Sequence, residues 1–380
     1  MAAINVLITG ADGFIGKNLT ARLKQDVQRF NFQSFTSGQK YSELEKKIQK
    51  SDVIIHLAGV NRAEKEAEFN KGNGELTEKL VELARLSNRK LKIIFSSSIH
   101  AGTMSAYGRS KAVAEDKLLA LQKNKNIKLT IFRLPHVFGK WSRPNYNSVV
   151  ATFCHNVINE KPNKIDDPSA ILQLLYIDDL IEKFYEFINS DLAEWPENII
   201  IENFPTYTIN VGDLHKRIAM FHEDRHHLHV SNVGLGLERA LYATYLSYLP
   251  SEKFEYSIPK YSDARGDFVE MLKTPGAGQI SYFTAEPGVV RGRHYHHSKS
   301  EKFLVVHGSA AFRFQQILNN EKHEIITNSA EAKIVETTPG WAHEIENIGA
   351  ERLIVLVWAN EVFDHDKPDT FNFSLLDKEN

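Results

Sequence analysis

The first two dozen residues place the strongest constraint on the fold. Residues 4–8 form an apolar run that predicts a strand, and residues 9–16 carry three glycines in a Gly-x2-Gly-x2-Gly spacing. An amphipathic helix is predicted to follow, through about Lys24. Glycines let the backbone turn tightly and approach a diphosphate, which then lies at the positive N-terminus of the helix. This order predicts the start of a nucleotide-binding βαβ unit.

Three further apolar segments extend this prediction. Residues 30–35, 52–59 and 91–95 are predicted to be strands, and the segment at 52–59 has the composition of a buried parallel strand. That segment ends in Leu57, Ala58 and Gly59, which we expect to lie beside a bound nucleotide. The segment at 91–95 runs into three consecutive serines, residues 96–98.

A tyrosine and a lysine follow these serines at helical spacing. Tyr107 and Lys111 are four residues apart, which places them on one helical face about one turn apart. The lysine ammonium is expected to lower the pKa of the phenol, which can then exchange a proton with a carbonyl or alcohol oxygen while hydride moves. The glycine turn, the serines and Tyr-x3-Lys together resemble the extended short-chain dehydrogenase/reductases. By position in that family Ser98 is the catalytic serine, with Ser97 as the alternative.

The resemblance also implies a nucleotide site and a contact with a nucleotide sugar at Asn147. The expected cofactor-binding residues are Gly10, Gly13, Phe14, Ile15, Gly16, Leu57, Ala58, Gly59, Tyr107, Lys111 and Pro135. A carboxylate at the end of the second predicted strand would bind the ribose 2′-hydroxyl of NAD. Residues 34–40 contain none, so NADPH is the expected cofactor.

The last third of the chain has a different pattern. Its short strands and Gly, Pro and Asn turns predict a small β-sandwich or barrel. His294 and His296 are one residue apart, which in a strand places both side chains on one face. With Glu301 and His343 they supply three imidazoles and a carboxylate, a set that suits zinc, iron, manganese or nickel.

These four residues lie in two motifs that resemble those of the cupins. The first is Gly-x5-His-x-His-x4-Glu-x6-Gly, from Gly288 to Gly308; the second contains His343 and departs from the cupin pattern by a one-residue shift of Pro339. The resemblance implies a cupin β-barrel, or jelly roll, with one bound metal, for which zinc is expected.

Residues 263–270 resemble the start of the dTDP-4-dehydrorhamnose 3,5-epimerase family, which implies substrate contacts for Arg265 and Glu270. In that family a histidine at the position of His294 is the catalytic base and no metal is present. His296 and Glu301 depart from that pattern, so His294 is expected to be a metal ligand instead.

The predicted fold class is therefore α/β plus all-β. We expect a Rossmann-like extended short-chain reductase domain at residues 1–250, a linker at 251–261 and a metal-binding cupin domain at 262–372. A length of 380 residues suffices for two such cores.

Composition bears on the partners and the compartment. The net charge is −2 and no long basic block occurs, which gives no electrostatic reason to expect a nucleic-acid or acidic-membrane partner. The single cysteine, Cys154, favours a reducing compartment. With neither a leader pattern nor a bilayer-spanning apolar run, we expect a cytoplasmic protein without membrane insertion.

Nearly the whole chain resembles the CapF-type family of bifunctional capsular-polysaccharide enzymes, and the resemblance includes residues 144–149, 244–250 and 301–306. This implies a homodimer acting on a UDP-linked 4-keto-6-deoxy-HexNAc. The cupin would invert C3 and the reductase would use NADPH at C4, giving UDP-2-acetamido-2,6-dideoxy-β-L-talose on the route to UDP-N-acetyl-L-fucosamine. Two alternatives stay open for the cupin: a non-catalytic, metal-stabilised sugar-binding or dimerisation module, and a metal-dependent dioxygenase, against which the Arg265–Gly266 motif argues.

Overall fold

The computed structural model describes residues 3–62, 65–191, 195, 200–263, 266–269, 271–274, 278–361, 363–364 and 366–375. The chain divides into two compact units. One consists of Met1–Ser148 with Leu172–Thr208, and the other of Val149–Ile171 with Ile209–Asn380. None of the helices in the described ranges has both the length and the apolar character needed to cross a membrane.

Strands and helices alternate in the first part of the chain, as expected for a parallel α/β sheet. They are β1 (Ile4–Thr9), α1 (Phe14–Lys24), β2 (Phe30–Phe35), α2 (Tyr41–Ile48), β3 (Val53–His56), α3 (Glu66–Phe69), α4 (Leu76–Leu86), β4 (Leu91–Ser98), α5 (Ala106–Leu119), β5 (Ile127–Leu134) and β6 (His136–Phe138). A π-helical turn, Asn70–Glu75, joins α3 to α4.

The middle of the chain is mainly helical. Its elements are α6 (Val149–Ile158), β7 (Ile171–Tyr176), α7 (Ile177–Asn189), β8 (Ile200–Ile201), β9 (Thr206–Asn210), α8 (Val211–His226) and α9 (Gly236–Leu246).

The remainder is β-structure. Its strands are β10 (Glu255–Ser257), β11 (Lys260–Asp263), β12 (Gly266–Val269), β13 (Gln279–Ala285), β14 (Val290–Tyr295), β15 (Glu301–His307), β16 (Ser309–Gln316), β17 (Lys322–Asn328), β18 (Lys333–Glu336), β19 (Trp341–Asn347), β20 (Leu353–Ala359) and β21 (Phe371–Asn372).

The first unit is Rossmann-like. Its main sheet is parallel, in the order β2-β1-β3-β4-β5-β8, and a smaller sheet has the order β6-β7-β9. Leu7, Ile54 and Ile93 from neighbouring strands share a core with residues of α2, α4 and α5. The strand order reverses between β1 and β3, and ligands of such sheets bind at the carboxyl ends of the strands at that point.

The second unit joins helices α6, α8 and α9 to a cupin-like β-barrel. The barrel has two five-stranded sheets, β10-β18-β15-β20-β13 and β17-β16-β19-β14-β21, whose paired strands are antiparallel. The ion pair of Arg225 with Glu336, at 2.8 Å, joins α8 to β18. Glu336 also pairs with Lys302 of β15, and both of their side chains are almost completely buried.

The compact units divide the chain differently from the predicted boundary. Within the predicted linker, residues 251–261, β10 pairs with β18 and is therefore part of the barrel. Helices α8 and α9, predicted to end the reductase domain, belong to the same unit as the barrel.

Candidate active sites

The turn after β1 is shaped to approach a ligand closely. Gly10 has φ +73°, and a Cβ there would lie 2.7 Å from the backbone nitrogen of Ala58, which follows β3. A side chain is excluded both by this contact and by the left-handed backbone. Gly13 precedes α1 and donates its N–H to the Gly10 carbonyl at 3.0 Å.

These features fit a nucleotide diphosphate. Within the described ranges, no side chain caps the N-terminus of α1 and its first turn contains no acidic residue. The N–H groups of that turn are therefore available to an anion. The predicted cofactor residues Phe14, Ile15 and Gly16 form this first turn, and Leu57 to Gly59 follow the neighbouring strand β3.

A buried histidine supports the same edge of the sheet. His56 at the end of β3 lies 2.7 Å from Thr9 Oγ1 through Nδ1 and 2.9 Å from Thr77 Oγ1 through Nε2. Burial, reinforced by the charge of Lys111, lowers the pKa of His56 to about 3, so the ring is neutral. Thr9 Oγ1 also accepts the Ala58 N–H at 3.2 Å, which holds the predicted cofactor loop against β1.

Tyr107 and Lys111 lie one turn apart on α5, as the sequence predicts. Burial raises the pKa of Tyr107, and a hydrogen bond with Ser98 partly opposes this rise. The pKa of Tyr107 is therefore raised overall, whereas the sequence predicts a lowered one, because burial outweighs the interaction that favours the phenolate. A raised pKa keeps the phenol protonated at neutral pH, which suits a proton donor.

Lys111 is almost fully buried. Its Nζ donates to the Ser96 carbonyl at 3.0 Å and lies 6.0 Å from the centre of the Tyr107 ring. Burial lowers the pKa of Lys111 to about 8, against the opposing effect of Glu115.

The two candidate serines have different partners. Ser97 Oγ donates to Glu115 Oε1, and Glu115 pairs with Arg133 of β5 at 2.6 Å, so Ser97 belongs to a structural ion-pair network. Ser98 Oγ accepts the His100 N–H at 3.2 Å, and its hydroxyl is the group that opposes the rise in the pKa of Tyr107. Glu115 was not predicted, although it lies one helical turn after Lys111 on the same face of α5.

Two other predicted residues of this unit are placed as follows. Pro135 lies between β5 and β6, next to His136, whose ring is 5.9 Å from that of His100. Asn147 is exposed in the loop after β6. Asn73 was not predicted: its amide accepts from Val60 N at 2.8 Å and donates to Ser110 Oγ at 2.9 Å, which ties the loop after β3 to α5.

The four predicted metal ligands converge in the barrel. The ligand atoms of His294, His296, Glu301 and His343 all lie within 4.8 Å of one another. His294 lies opposite His343 in the β14–β19 pair, and Glu301 opens β15 of the other sheet. His296 follows directly after β14 instead of lying on it.

A bulge in β14 produces this pairing. The register shifts between Gly292 and His294, and the intervening Arg293 has φ +64°, an uncommon conformation for a residue with a side chain. Gly292 approaches the partner strand so closely that a Cβ would lie 2.9 Å from the His343 carbonyl oxygen. The bulge therefore brings His294 opposite His343.

The protonation states suit a cation. Burial and the two neighbouring histidines lower the pKa of His294 to about 3. Burial alone would raise the pKa of Glu301, but the charges and hydrogen bonds of His296 and His343 hold it well below its usual range. At neutral pH the His294 ring is therefore neutral and Glu301 is ionised, which are the forms in which an imidazole and a carboxyl group bind metal.

The histidine nitrogens that face the carboxylate are the Nε2 atoms of His296 and His343. They lie 3.1 and 3.4 Å from Glu301 Oε2. His296 Nδ1 contacts the backbone oxygen of Asp369, which fixes the proton on Nδ1 and leaves Nε2 to act as a ligand. Arg265 and Glu270, predicted to contact substrate, lie outside the described residues.

Comparison with known proteins agrees with this architecture. Residues 6–201 match the NAD dependent epimerase/dehydratase family, and residues 261–371 match the polysaccharide biosynthesis C-terminal domain. Because the first match spans more than half of the chain, the protein belongs to the NAD dependent epimerase/dehydratase family.

A particular relative from Pseudomonas aeruginosa is named UDP-2-acetamido-2,6-beta-L-arabino-hexul-4-ose reductase. It is 48% identical over 374 residues, which cover 98% of this chain and 99% of the relative. The crystal structure of the capsular polysaccharide assembling protein CapF from Staphylococcus aureus is 34% identical, with a TM-score of 0.65 and coverage of 97% of this chain and 99% of that one.

A more distant likeness concerns the fold alone. The UDP-glucose 4-epimerase of Thermotoga maritima is 19% identical, with a TM-score of 0.51, and covers 58% of this chain and 83% of its own.

Proposed function

We propose that this protein is a bifunctional UDP-sugar enzyme of capsular or surface polysaccharide synthesis. Its barrel inverts C3 of a UDP-linked 4-keto-6-deoxy-HexNAc, and its Rossmann-like unit then reduces the C4 ketone with NADPH. The product is UDP-2-acetamido-2,6-dideoxy-β-L-talose, on the route to UDP-N-acetyl-L-fucosamine. The observation that carries the proposal is the Ser98–Tyr107–Lys111 arrangement, in a chain 48% identical to a named UDP-sugar 4-keto reductase.

In the reduction, Tyr107 is the proton donor. The phenol of Tyr107 gives its proton to the carbonyl oxygen, and NADPH, when bound, would supply the hydride to the carbonyl carbon, so that the ketone becomes an alcohol. Ser98, whose hydroxyl lowers the pKa of the Tyr107 phenol, would donate a hydrogen bond to that oxygen and so orient it. Lys111 places a buried cation beside the phenol, which stabilises the phenolate as the proton leaves.

In the epimerisation, the proton at C3 is acidic because it is α to the C4 ketone. His294, His296, Glu301 and His343 would hold a divalent ion, for which zinc is proposed. That ion would polarise the keto oxygen and so ease loss of the C3 proton. The C3 proton passes to solvent water and a solvent proton is added to the opposite face of C3, so the step is redox-neutral.

A second function is favoured by one observation. The four side chains that converge in the barrel would fill all four positions of a tetrahedral structural zinc site, which would leave none for substrate. In that case the barrel is a metal-stabilised sugar-binding or dimerisation module and the protein is a reductase only.

Product analysis tests the proposal. The wild type, incubated with a UDP-4-keto-6-deoxy-HexNAc and NADPH, should give a sugar inverted at C3 and reduced at C4, as read by NMR. We expect kcat/KM to favour NADPH over NADH by at least about 10-fold, equivalent to ~1.4 kcal/mol. Equal use of NADH would contradict the proposed cofactor, and a C4 alcohol with retained C3 configuration would favour the reductase-only function.

A further inference from the structure

The loop that joins two of the proposed metal ligands is held by one distant carboxylate. Residues 297–300 connect the second ligand to the third. The backbone N–H groups of His297, Ser298 and Lys299 all donate to Asp369, at 2.9, 2.7 and 2.7 Å. The Ser298 hydroxyl donates to the same carboxylate at 2.8 Å. One side chain therefore satisfies three consecutive backbone donors of this loop.

Two further side chains complete the pattern. The next backbone N–H, of Ser300, donates to Asn360 Oδ1 at 3.0 Å, and that of Glu301 donates to Thr337 Oγ1 at 3.0 Å. Five successive N–H groups thus bind side-chain oxygens from other segments. In a turn or a strand, N–H groups bind backbone carbonyls instead. The conformation of this loop therefore depends on the side-chain oxygens that accept its N–H groups.

The segment that carries Asp369 also contacts the ligands directly. The Asp369 backbone oxygen accepts from His296 Nδ1. Two residues later, β21 pairs with His294 and Tyr295 at the end of β14. The Asp369 side chain is 11% exposed. Arg239 Nη2 lies 3.8 Å from its Oδ2, so the guanidinium compensates the charge of the carboxylate.

We propose that Asp369 is a positioning residue for the metal centre: it holds residues 297–300 so that His296 and Glu301 converge with His294 and His343. The inference rests on the proposed metal site and adds a residue outside its ligand set. Without the carboxylate, the N–H groups of this loop lose their acceptor, which is unfavourable for buried donors. The loop then rearranges to hydrate them, which changes the separation of the two ligands at its ends.

Metal affinity is the direct test. Wild type, Asp369→Asn, Asp369→Glu and Asp366→Asn, each as the full chain freed of metal, are titrated with Zn²⁺ against a chromophoric chelator at fixed pH. Asp369→Asn places an amide NH2 among N–H donors, and its Zn²⁺ Kd should rise about 10- to 100-fold, the usual effect of a lost outer-shell partner. Asp369→Glu keeps the carboxylate and should bind more tightly than Asp369→Asn. Asp366→Asn removes the same charge at an exposed site of the same segment and should leave the Kd unchanged.

A role in folding alone gives a different result. The visible absorption of the Co²⁺-loaded protein reports ligand geometry and should change in Asp369→Asn. Wild-type Kd and wild-type Co²⁺ spectrum in Asp369→Asn, even with a lower Tm, would overturn the positioning role while leaving the metal site intact. If Asp369→Asn does not fold, Asp369→Glu takes its place. Its longer side chain moves the carboxylate relative to the three N–H groups, so its Zn²⁺ Kd should still exceed that of Asp366→Asn, and a wild-type Kd would overturn the positioning role. Absence of Zn²⁺ binding by the wild type would overturn the metal site, and the positioning role with it.

Discussion

Replacing Tyr107 with phenylalanine should lower the rate of NADPH-dependent ketone reduction about 10²-fold or more, the usual scale for a positioned acid. The substitution removes the hydroxyl and retains the ring, which lies 6.0 Å from the ring of Phe69. The glycine turn after β1 is untouched, so NADPH binding should be retained. Stopped-flow or steady-state loss of NADPH absorbance, together with fluorescence titration of NADPH, measures both quantities.

The matched control for this substitution is Tyr41→Phe. Tyr41 opens α2 in the same unit and its side chain is 46% exposed, so loss of its hydroxyl should leave reduction unchanged. Near-normal turnover by Tyr107→Phe would show that another group supplies the proton. Weak NADPH binding by the variant would place Tyr107 in cofactor binding instead of proton transfer.

Protein purified without chelator should carry about one divalent ion per chain, and His294→Ala should lose it. Removing one imidazole from four convergent ligands leaves three buried polar groups around a cavity. Because metal binding is linked to folding, the free energy of unfolding of the barrel should fall by several kcal/mol, within the range of metal-linked folding energies. Elemental analysis and urea unfolding, each with and without added metal, measure these effects.

The control for this substitution is His307→Ala. His307 lies at the far end of β15 with its side chain 51% exposed, so its removal should change neither metal content nor stability appreciably. Metal-free wild-type protein would contradict the proposed metal site. A His294→Ala protein with wild-type metal content would remove His294 from the ligand set.

The spacing of glycines and of potential ligands within short segments predicted the strands and helices that carry each site. Such spacing can be read from a few neighbouring residues. The strand β2, the helix carrying Tyr107 and Lys111, and the convergence of His294, His296, Glu301 and His343 are confirmed. These predictions depend on strand and helix periods, which the sequence contains directly.

Contacts between distant segments could not be predicted in this way. The sequence alone does not show which of the adjacent Ser97 and Ser98 is the catalytic serine. In the structure they differ because Ser97 donates a hydrogen bond to Glu115. The bulge at Arg293 and the attachment of Asp369 likewise depend on pairing with strands far along the chain. The direction of the Tyr107 pKa shift depends on burial, which spacing does not report.

The predicted domain boundary at residues 251–261 also depends on contacts between distant segments, which local sequence patterns do not show. Helix α8 has the periodicity of any amphipathic helix, yet Arg225 at its end pairs with the buried Glu336 of the barrel. Residues from 255 onward made alone would lack Arg225, so the buried Glu336 would keep Lys302 but lose one of its two ion-pair partners. Separation of the two activities is therefore better tested by point substitution in the full chain.

The most direct test of the two-step proposal uses Tyr107→Phe in heavy water without nicotinamide. Epimerisation needs neither hydride nor Tyr107, so this variant should replace the C3 proton of the UDP-4-keto sugar with deuterium at the wild-type rate. Proton NMR should show loss of the C3 signal and accumulation of the 3-epimer, with the ketone intact. The contradicting result is that neither Tyr107→Phe nor the wild type exchanges that proton, while the wild type still reduces the unepimerised ketone at a normal rate with NADPH. The barrel is then not an epimerase.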